Sequence, residues 1–137
     1  MKEKPQPKLF TPFKLKSVVL RNRIAVPPMC QYVSEEGMPN DWHITHYAQF
    51  ARGGAGLVIA EATAVSPEGR ITPGCLGIWN DEQMEKHKDI ALAIKKAGAS
   101  PGIQIAHAGR KGNSNIPWEG NDHIPEGHAK SWEIIAP

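Results

Sequence analysis

The pentapeptide GLVIA at Gly56–Ala60 is an uninterrupted apolar run, which is typical of a parallel β-strand that is covered on both faces. On its amino side, a helix is predicted over Asn40–Arg52, because Asn or Asp suits an N-cap and Gly53-Gly54 suits a helix end. Before that helix, Arg23–Val26 is predicted as a short strand, and Pro27-Pro28 must end it because proline cannot donate to a strand ladder.

The same pattern follows on the carboxyl side of this run. Thr63–Trp79 carries several Pro and Gly residues and is predicted as a long loop. A second helix is predicted from Asn80 or Asp81 to Ala97, with Gly98 as its stop, and Pro101–Ala106 (PGIQIA) is predicted as a third strand. The alternation of strands and helices predicts an α/β fold of right-handed parallel βαβ units.

Three strands and two helices are incomplete as a domain. A (β/α)8 TIM barrel has roughly 250 residues, so the chain corresponds to the N-terminal portion of one. Within it, residues 1–8 are predicted as a flexible tail, 9–20 as a hairpin lid and 110–137 as a loop excursion after the third strand. Barrel active sites lie at the carboxyl ends of strands, where three clusters occur: Pro27–Tyr32, Glu61–Thr63 and Gln104–Lys111.

Composition excludes several classes of function. The 137 residues carry 16 Lys and Arg against 14 Asp and Glu, and a net charge of +2 does not indicate binding to nucleic acid or to an anionic membrane. No apolar stretch approaches the ~20 residues that cross a bilayer, and Met1–Lys8 lacks the apolar region of a signal peptide. With only two cysteines, a reducing cytoplasm is the expected compartment.

Four blocks of sequence resemble one family. They are LFTPFKLKSVVLRNRI (Leu9–Ile24), PPMCQY (Pro27–Tyr32), EATAVSPEGRITPGCLGIW (Glu61–Trp79) and GIQIAHAGRK (Gly102–Lys111). In order and spacing they resemble the old yellow enzyme family of NADH:flavin oxidoreductases (ene-reductases), most closely its xenobiotic-reductase-like branch. The chain is identified as the N-terminal part only of such a protein.

The resemblance implies a (β/α)8 barrel that binds FMN and takes hydride from NADPH or NADH. Such an enzyme reduces activated C=C bonds, as in enones, by hydride transfer through flavin N5. The family's flavin-phosphate loops and its residues for the substrate carbonyl belong to later strands, so these 137 residues alone are expected to be inactive. A full-length member is expected to form a homo-oligomer, and this chain to need the missing C-terminal barrel segment as its partner.

The resemblance also assigns roles to the segment after the first strand. The backbone of Pro27, Pro28, Met29 and Cys30 is expected to pack against the flavin near N5 and O4. The Cys30 thiol is expected to tune the flavin through a weak hydrogen bond. Tyr32 is expected to contact the activating oxygen of the substrate.

The second and third strands supply further expected contacts. Ala62 is small enough for the backbone to approach the flavin ring, and the Gln104 amide suits its O2 and N3 edge because it both donates and accepts. His107, Arg110 and Lys111 are interpreted as structural, or as acting on the flavin only through other residues.

Other motifs are interpreted as structural. His43 and His46 begin a helix, but no Cys, Asp or Glu cluster completes a metal site. Cys75 is interpreted as a buried loop thiol with no evident partner.

Two alternatives to the ene-reductase stay open. One is an inactive barrel remnant without cofactor, and the other is a dienoyl-CoA reductase-like flavin barrel. The exposed parallel edge and open barrel interior also predict that the chain is unstable or aggregates by itself.

Overall fold

The computed structural model describes residues 6–136. Most of the predicted tail, residues 1–5, lies outside this range, and Lys8–Phe10 forms a single 3-10 turn. In the described part of the chain, no helix combines the length and the apolar character needed to cross a membrane.

The predicted hairpin is present at the amino end of the chain. Strands β1 (Phe13–Leu15) and β2 (Val18–Leu20) pair antiparallel, and Lys16 in the turn takes a left-handed φ of 51°. The next residue, Arg21, donates hydrogen bonds to the carbonyls of Ala51 and Ala55. Ala51 lies in the last turn of the helix that precedes the strand Leu57–Ala64, and Ala55 lies between the two. The hairpin therefore closes the end of the sheet opposite to the carboxyl ends of the strands.

A parallel sheet of four strands is built around one long central strand. Strand β4 (Leu57–Ala64) pairs with β6 (Ser100–Ala106) along its whole length. The other edge of β4 is shared by two short strands, β3 (Ala25–Val26) at its amino end and β5 (Leu76–Gly77) at its carboxyl end. The predicted parallel strand–helix–strand–helix–strand order is confirmed.

Strand β4 is longer than the apolar run that predicted it. It continues through polar and small residues to Ala64, and its register with β6 shifts between Ala60 and Ala62. The shift is a β-bulge at Glu61. Bulges of this kind change the direction of a side chain and are common next to active sites. Thr63 and Ala64 therefore belong to β4 and not to the predicted loop Thr63–Trp79. Strand β5 also lies within that predicted loop, and the local sequence did not predict it because it pairs with residues more than ten positions away.

The two helices have nearly the predicted bounds. Helix α1 is Asp41–Arg52 and helix α2 is Asp81–Lys96. The side chains of Asn40 and Asn80 accept backbone N–H groups at the two amino ends, as the sequence predicts for N-caps.

The core lies between the helices and one face of the sheet. Tyr47 and Ala51 of α1 and Ile90 and Ile94 of α2 pack on Val58 and the rest of β4. The carboxyl ends of β4 and β6 lie together at one end of the sheet, and the segment after β3 runs along β4 as far as Glu61, so the candidate site lies at this end.

Candidate functional site

A buried carboxylate holds the segment that follows β3. Glu61, at the bulge of β4, has no solvent exposure. Its Oε1 accepts the Gln31 backbone N–H (3.1 Å), and its Oε2 accepts the Tyr47 hydroxyl (2.6 Å). The Glu61 backbone N–H donates in turn to the Tyr47 hydroxyl oxygen (3.0 Å). Helix α1, strand β4 and the segment 27–34 are therefore joined at one side chain.

The electrostatics of this carboxylate are those of a desolvated group. Burial raises the pKa of Glu61 to about 7, although the hydrogen bonds from Tyr47 and Gln31 oppose the rise. The nearest basic group is His43, whose Nε2 lies 4.0 Å from Oε2. Burial lowers the pKa of His43 to about 4, so near neutral pH the imidazole carries no charge to balance Glu61.

The Cys30 sulfur lies at the meeting point of three segments. Hydrogen bonding with the Cys75 side chain and burial raise the pKa of Cys30, and the Ala62 backbone N–H opposes the rise. Burial and the nearby Cys30 thiol raise the pKa of Tyr32. Two of the residues predicted to contact the flavin, Cys30 and Ala62, are therefore neighbours.

The interpretation of Cys75 as a thiol without a partner is wrong. The side chain is buried, and its sulfur receives the backbone N–H of Thr72 (3.4 Å) as well as the contact with Cys30. These hydrogen bonds, that with Cys30 first, lower the pKa of Cys75 to about 6. The sequence gives no signal for this pairing, because the two cysteines are 45 positions apart and come together through the pairing of β5 with β4.

Gln104 is the direct neighbour of Ala62 in the sheet. The two residues are paired in the β4–β6 register, just after the bulge. Gln104 is exposed, and within residues 6–136 its amide makes no hydrogen bond. Its donor and acceptor are therefore available to a planar ligand that lies over the carboxyl ends of the strands.

The residues between β3 and Cys30 also leave surface for a ligand. Pro27 and Met29 are exposed and Pro28 is half-buried. Cys30, Ala62 and Gln104 fit the ring of FMN in chemical type, with one thiol, one small residue and one free amide in a continuous row.

Tyr32 adopts an unusual backbone conformation beside this row. Its φ is 57°, a left-handed value that non-glycine residues seldom take. Its ring meets the ring of Trp118 edge to face, with 6.1 Å between centroids. A groove of about 500 Å³ is lined by Tyr32 together with Gly74, Glu119 and Lys130.

The remaining sequence candidates occupy peripheral positions. His107, Arg110 and Lys111 are exposed after β6, and His107 Nδ1 accepts the Gly109 backbone N–H (3.1 Å). His43 belongs to the α1 capping box, and His46 stacks edge to face on the neighbouring aromatic rings of the helix. Among residues 6–136, no group of three His, Cys, Asp or Glu side chains is placed to hold a metal ion.

An arginine that sequence reasoning missed joins the two long loops. The Arg70 guanidinium lies over the rings of Trp79 (5.5 Å to the centroid) and Trp132 (5.1 Å). The Trp132 indole N–H donates to the Glu68 carbonyl (3.0 Å). The excursion after β6 is thereby fixed against the loop that carries Cys75. A lone Arg in a loop gives no sequence signal for such stacking.

Comparison with known proteins gives a family match over most of the chain. The model of the NADH:flavin oxidoreductase / NADH oxidase family matches residues 8–126. An NADPH dehydrogenase of Listeria welshimeri is 52% identical over 106 residues, which cover 76% of this chain and 31% of that protein. An NADPH dehydrogenase of Bacillus pumilus is 45% identical over 128 residues, covering 86% of this chain and 38% of that protein.

The fold comparison agrees with the sequence comparison. The structure of the old yellow enzyme homologue from Zymomonas mobilis superposes with a TM-score of 0.73 at 28% identity, covering 95% of this chain and 39% of that one. The chain thus spans about a third of the length of the curated relatives it matches.

Proposed function

Since the chain belongs to the NADH:flavin oxidoreductase / NADH oxidase family, also called the old yellow enzyme family, we propose that it forms the flavin-ring side of an FMN-dependent NAD(P)H oxidoreductase that reduces activated C=C bonds. The observation that carries the proposal is the continuous row of Cys30, Ala62 and Gln104 across three segments at the carboxyl ends of the strands. A place in the xenobiotic-reductase-like branch and a cytoplasmic location belong to the same proposal.

The protein residues bind and orient the flavin in this proposal. Bound FMN would supply the hydride-accepting and hydride-donating centre. The Gln104 amide donates to and accepts from the pyrimidine edge, and Ala62 allows close approach of the backbone. In this proposal the Cys30 thiol, a neighbour of Ala62, would donate a weak hydrogen bond to the O4/N5 edge. Pro27, Pro28 and Met29 would form the rest of the surface that contacts the flavin. This costs little conformational entropy because proline already restricts the backbone angle φ.

Tyr32 is the proposed substrate contact. Burial and the nearby Cys30 thiol raise the pKa of its hydroxyl, and its ring meets the ring of Trp118 edge to face. A phenol in this place can donate to the oxygen that activates a conjugated alkene. An enone is therefore the proposed substrate class.

The test compares two glutamines in the purified protein. Gln104→Leu is expected to lower FMN content, because a flavin edge loses both a donor and an acceptor, whereas Gln49→Leu on the outer side of α1 is not. Flavin absorbance per protein measures the content. Equal FMN content in the two variants would contradict the assigned role of Gln104.

The reaction class is tested separately on the flavin-loaded protein. NAD(P)H oxidation in the presence of a simple cyclic enone is the expected activity. Turnover of an enoyl-CoA but not of the enone would favour a dienoyl-CoA reductase-like enzyme. Purified protein without flavin absorbance would favour a remnant barrel.

A further inference from the structure

The two cysteines of the chain form a pair at the edge of the proposed flavin site. Cys30 follows β3 and Cys75 precedes β5, and each side chain is the largest influence on the pKa of the other. Both are free thiols in this structure. Nothing in the proposed flavin chemistry requires the second thiol, which is buried and has no contact assigned to flavin or substrate.

The backbone around the pair is held together independently of the sulfur atoms. The Ser34 N–H donates to the Gly74 carbonyl (3.1 Å), and the Ser34 hydroxyl donates to the Cys75 carbonyl (2.8 Å). Gly74 packs so closely on the Tyr32 carbonyl that a Cβ at this position would overlap it. The two cysteine-bearing segments are therefore fixed side by side at residues 32–34 and 74–75, close to both cysteines; a disulfide also requires Cα atoms within about 7 Å of each other.

The two thiols differ in solvent exposure, which favours oxidation of one before the other. Cys30 is half-buried and lies beside the open face of the site, whereas Cys75 is 1% exposed. An oxidant that enters the site therefore meets Cys30 first. Cys75 then lies behind it as the second thiol, and the hydrogen bonds that lower the pKa of Cys75 favour its reactive thiolate form.

We propose that Cys30 and Cys75 are a redox-active dithiol, which hydrogen peroxide or a related hydroperoxide oxidises to an intramolecular disulfide. The Cys75 thiolate first takes up the proton of the Cys30 thiol, which leaves the thiolate on Cys30. This sulfur attacks one peroxide oxygen, the O–O bond breaks, and the released hydroxide takes the Cys75 proton to form water.

The second step closes the bridge. The Cys75 thiolate attacks the Cys30 sulfenic acid, the S–S bond forms, and the departing hydroxide takes up a proton as a second water. Overall, two thiols lose two electrons and two protons, and one peroxide is reduced to two waters. A thiol reductant reverses the oxidation by exchange.

A functional consequence follows if the proposed function is correct. The disulfide removes the Cys30 S–H that would donate to the flavin, so oxidation is expected to change the flavin potential. Only this consequence rests on the proposed function. Formation of the disulfide rests on the cysteine pair alone.

The test maps the cross-link by mass. Native protein is treated with peroxide, its remaining thiols are alkylated, and it is digested with trypsin without reductant. The disulfide is expected to join the peptides 24–52 and 71–86, with loss of two hydrogens, and to disappear on treatment with dithiothreitol. Because the second step is intramolecular, its yield is expected not to depend on protein concentration.

Two variants and one denatured control complete the test. In Cys75→Ser, Cys30 is expected to proceed to the sulfinic acid or to remain as a trapped sulfenic acid, because the second thiol is absent. Cys30→Ser is expected to leave Cys75 unoxidised under the same treatment. The native chain is expected to cross-link faster than the urea-unfolded chain.

The outcomes separate the two proposals. Over-oxidation of Cys30 in the native protein without any cross-link would overturn the dithiol proposal, as would equal rates in native and unfolded chains. A cross-link in protein that binds no FMN would support the dithiol and contradict the proposed function.

Discussion

At the scale of single residues, Glu61 is the side chain on which the site depends. It is fully buried, it receives two donors from different elements, and the basic side chain that contacts it, His43, is uncharged near neutral pH. Removing a partner from such a group leaves a desolvated charge, which is expensive in a protein interior.

The stability of the protein is expected to fall as the pH rises through the range in which Glu61 ionises. The pKa of Glu61 is higher in the folded protein than in the unfolded chain. The contribution of Glu61 to the free energy of unfolding is therefore complete below the unfolded pKa of 4.5 and is lost as the pH rises to about 7. Glu61→Gln abolishes this loss. The variant is expected to gain on the order of 2 kcal/mol relative to the parent between about pH 5 and about pH 8, measured by urea unfolding.

The opposite sign holds for His43, which serves as an internal check. Its pKa is lowered, so the fold loses stability as the pH falls from 6.5 to about 4. The parent and Glu61→Gln both retain His43, so both should lose stability in the same way as the pH falls below 6.5. If the free energies of unfolding of the two proteins depended on pH in the same way above about pH 5, the pKa of Glu61 would not be raised and the prediction would be wrong.

Gly74 packs directly against the backbone of Tyr32. Gly74→Ala is expected to displace the Tyr32 backbone, because the new Cβ overlaps its carbonyl oxygen. The cost is expected to be about 1–3 kcal/mol, as for other overpacked positions. Gly127→Ala serves as a control for loss of a glycine, because its Cβ would meet no atom although its φ is 81°. Quenching of the Trp118 fluorescence near Tyr32 reports the displacement, and an unchanged spectrum in Gly74→Ala would contradict it.

At the scale of elements, the excursion after β6 is ordered by one asparagine. Asn113 is almost fully buried and has a left-handed φ of 55°. Its amide N–H donates to the Ile124 carbonyl (3.1 Å), and its side-chain oxygen accepts the Trp132 backbone N–H (3.2 Å). Together with the Arg70 stack, these bonds hold a segment whose regular structure is short 3-10 turns and one β-bridge between Ser114 and His123.

Asn113→Gly is expected to loosen this segment while leaving the sheet intact. Glycine accepts the positive φ, so the variant isolates the loss of the side-chain hydrogen bonds, at about 1–3 kcal/mol for the buried groups left without partners. Tryptic cleavage after Lys130 is expected to accelerate. An unchanged cleavage rate would show that the Arg70 stack holds the segment without Asn113.

At the scale of the whole molecule, the second face and the outer edge of the sheet are open. Within residues 6–136, β6 pairs only with β4, and Ile105 on it is 66% exposed. An apolar groove of about 290 Å³ also runs between α2 and β6. Open parallel edges and apolar faces favour association.

The 137-residue chain, expressed by itself, is therefore expected to self-associate. Ile105→Lys places a charge on the exposed edge strand and is expected to reduce association without loss of thermal stability. Ala60→Lys, whose side chain would enter the core, is expected to unfold the protein instead. Light scattering with thermal melts distinguishes the two, and a monomeric parent chain would contradict the prediction.

Local chemistry in the sequence determined the elements of this protein and their order. The N-caps Asn40 and Asn80 and the apolar run at 56–60 depend on neighbours only a few residues away, so helices, strands and their parallel order could be predicted. The positions of Ala62 and Gln104 on neighbouring strands followed from the same order. Their contacts with a flavin stay a prediction.

Only the tertiary structure decided which side chains meet. The bulge at Glu61, the Cys30–Cys75 pair and the stacking of Arg70 on Trp132 all join residues that are 30 or more positions apart. Such contacts depend on how the returning loops are placed against β4 and β6. A chain read residue by residue carries no local signal for them, because their free energy arises only when the sheet has brought the segments together.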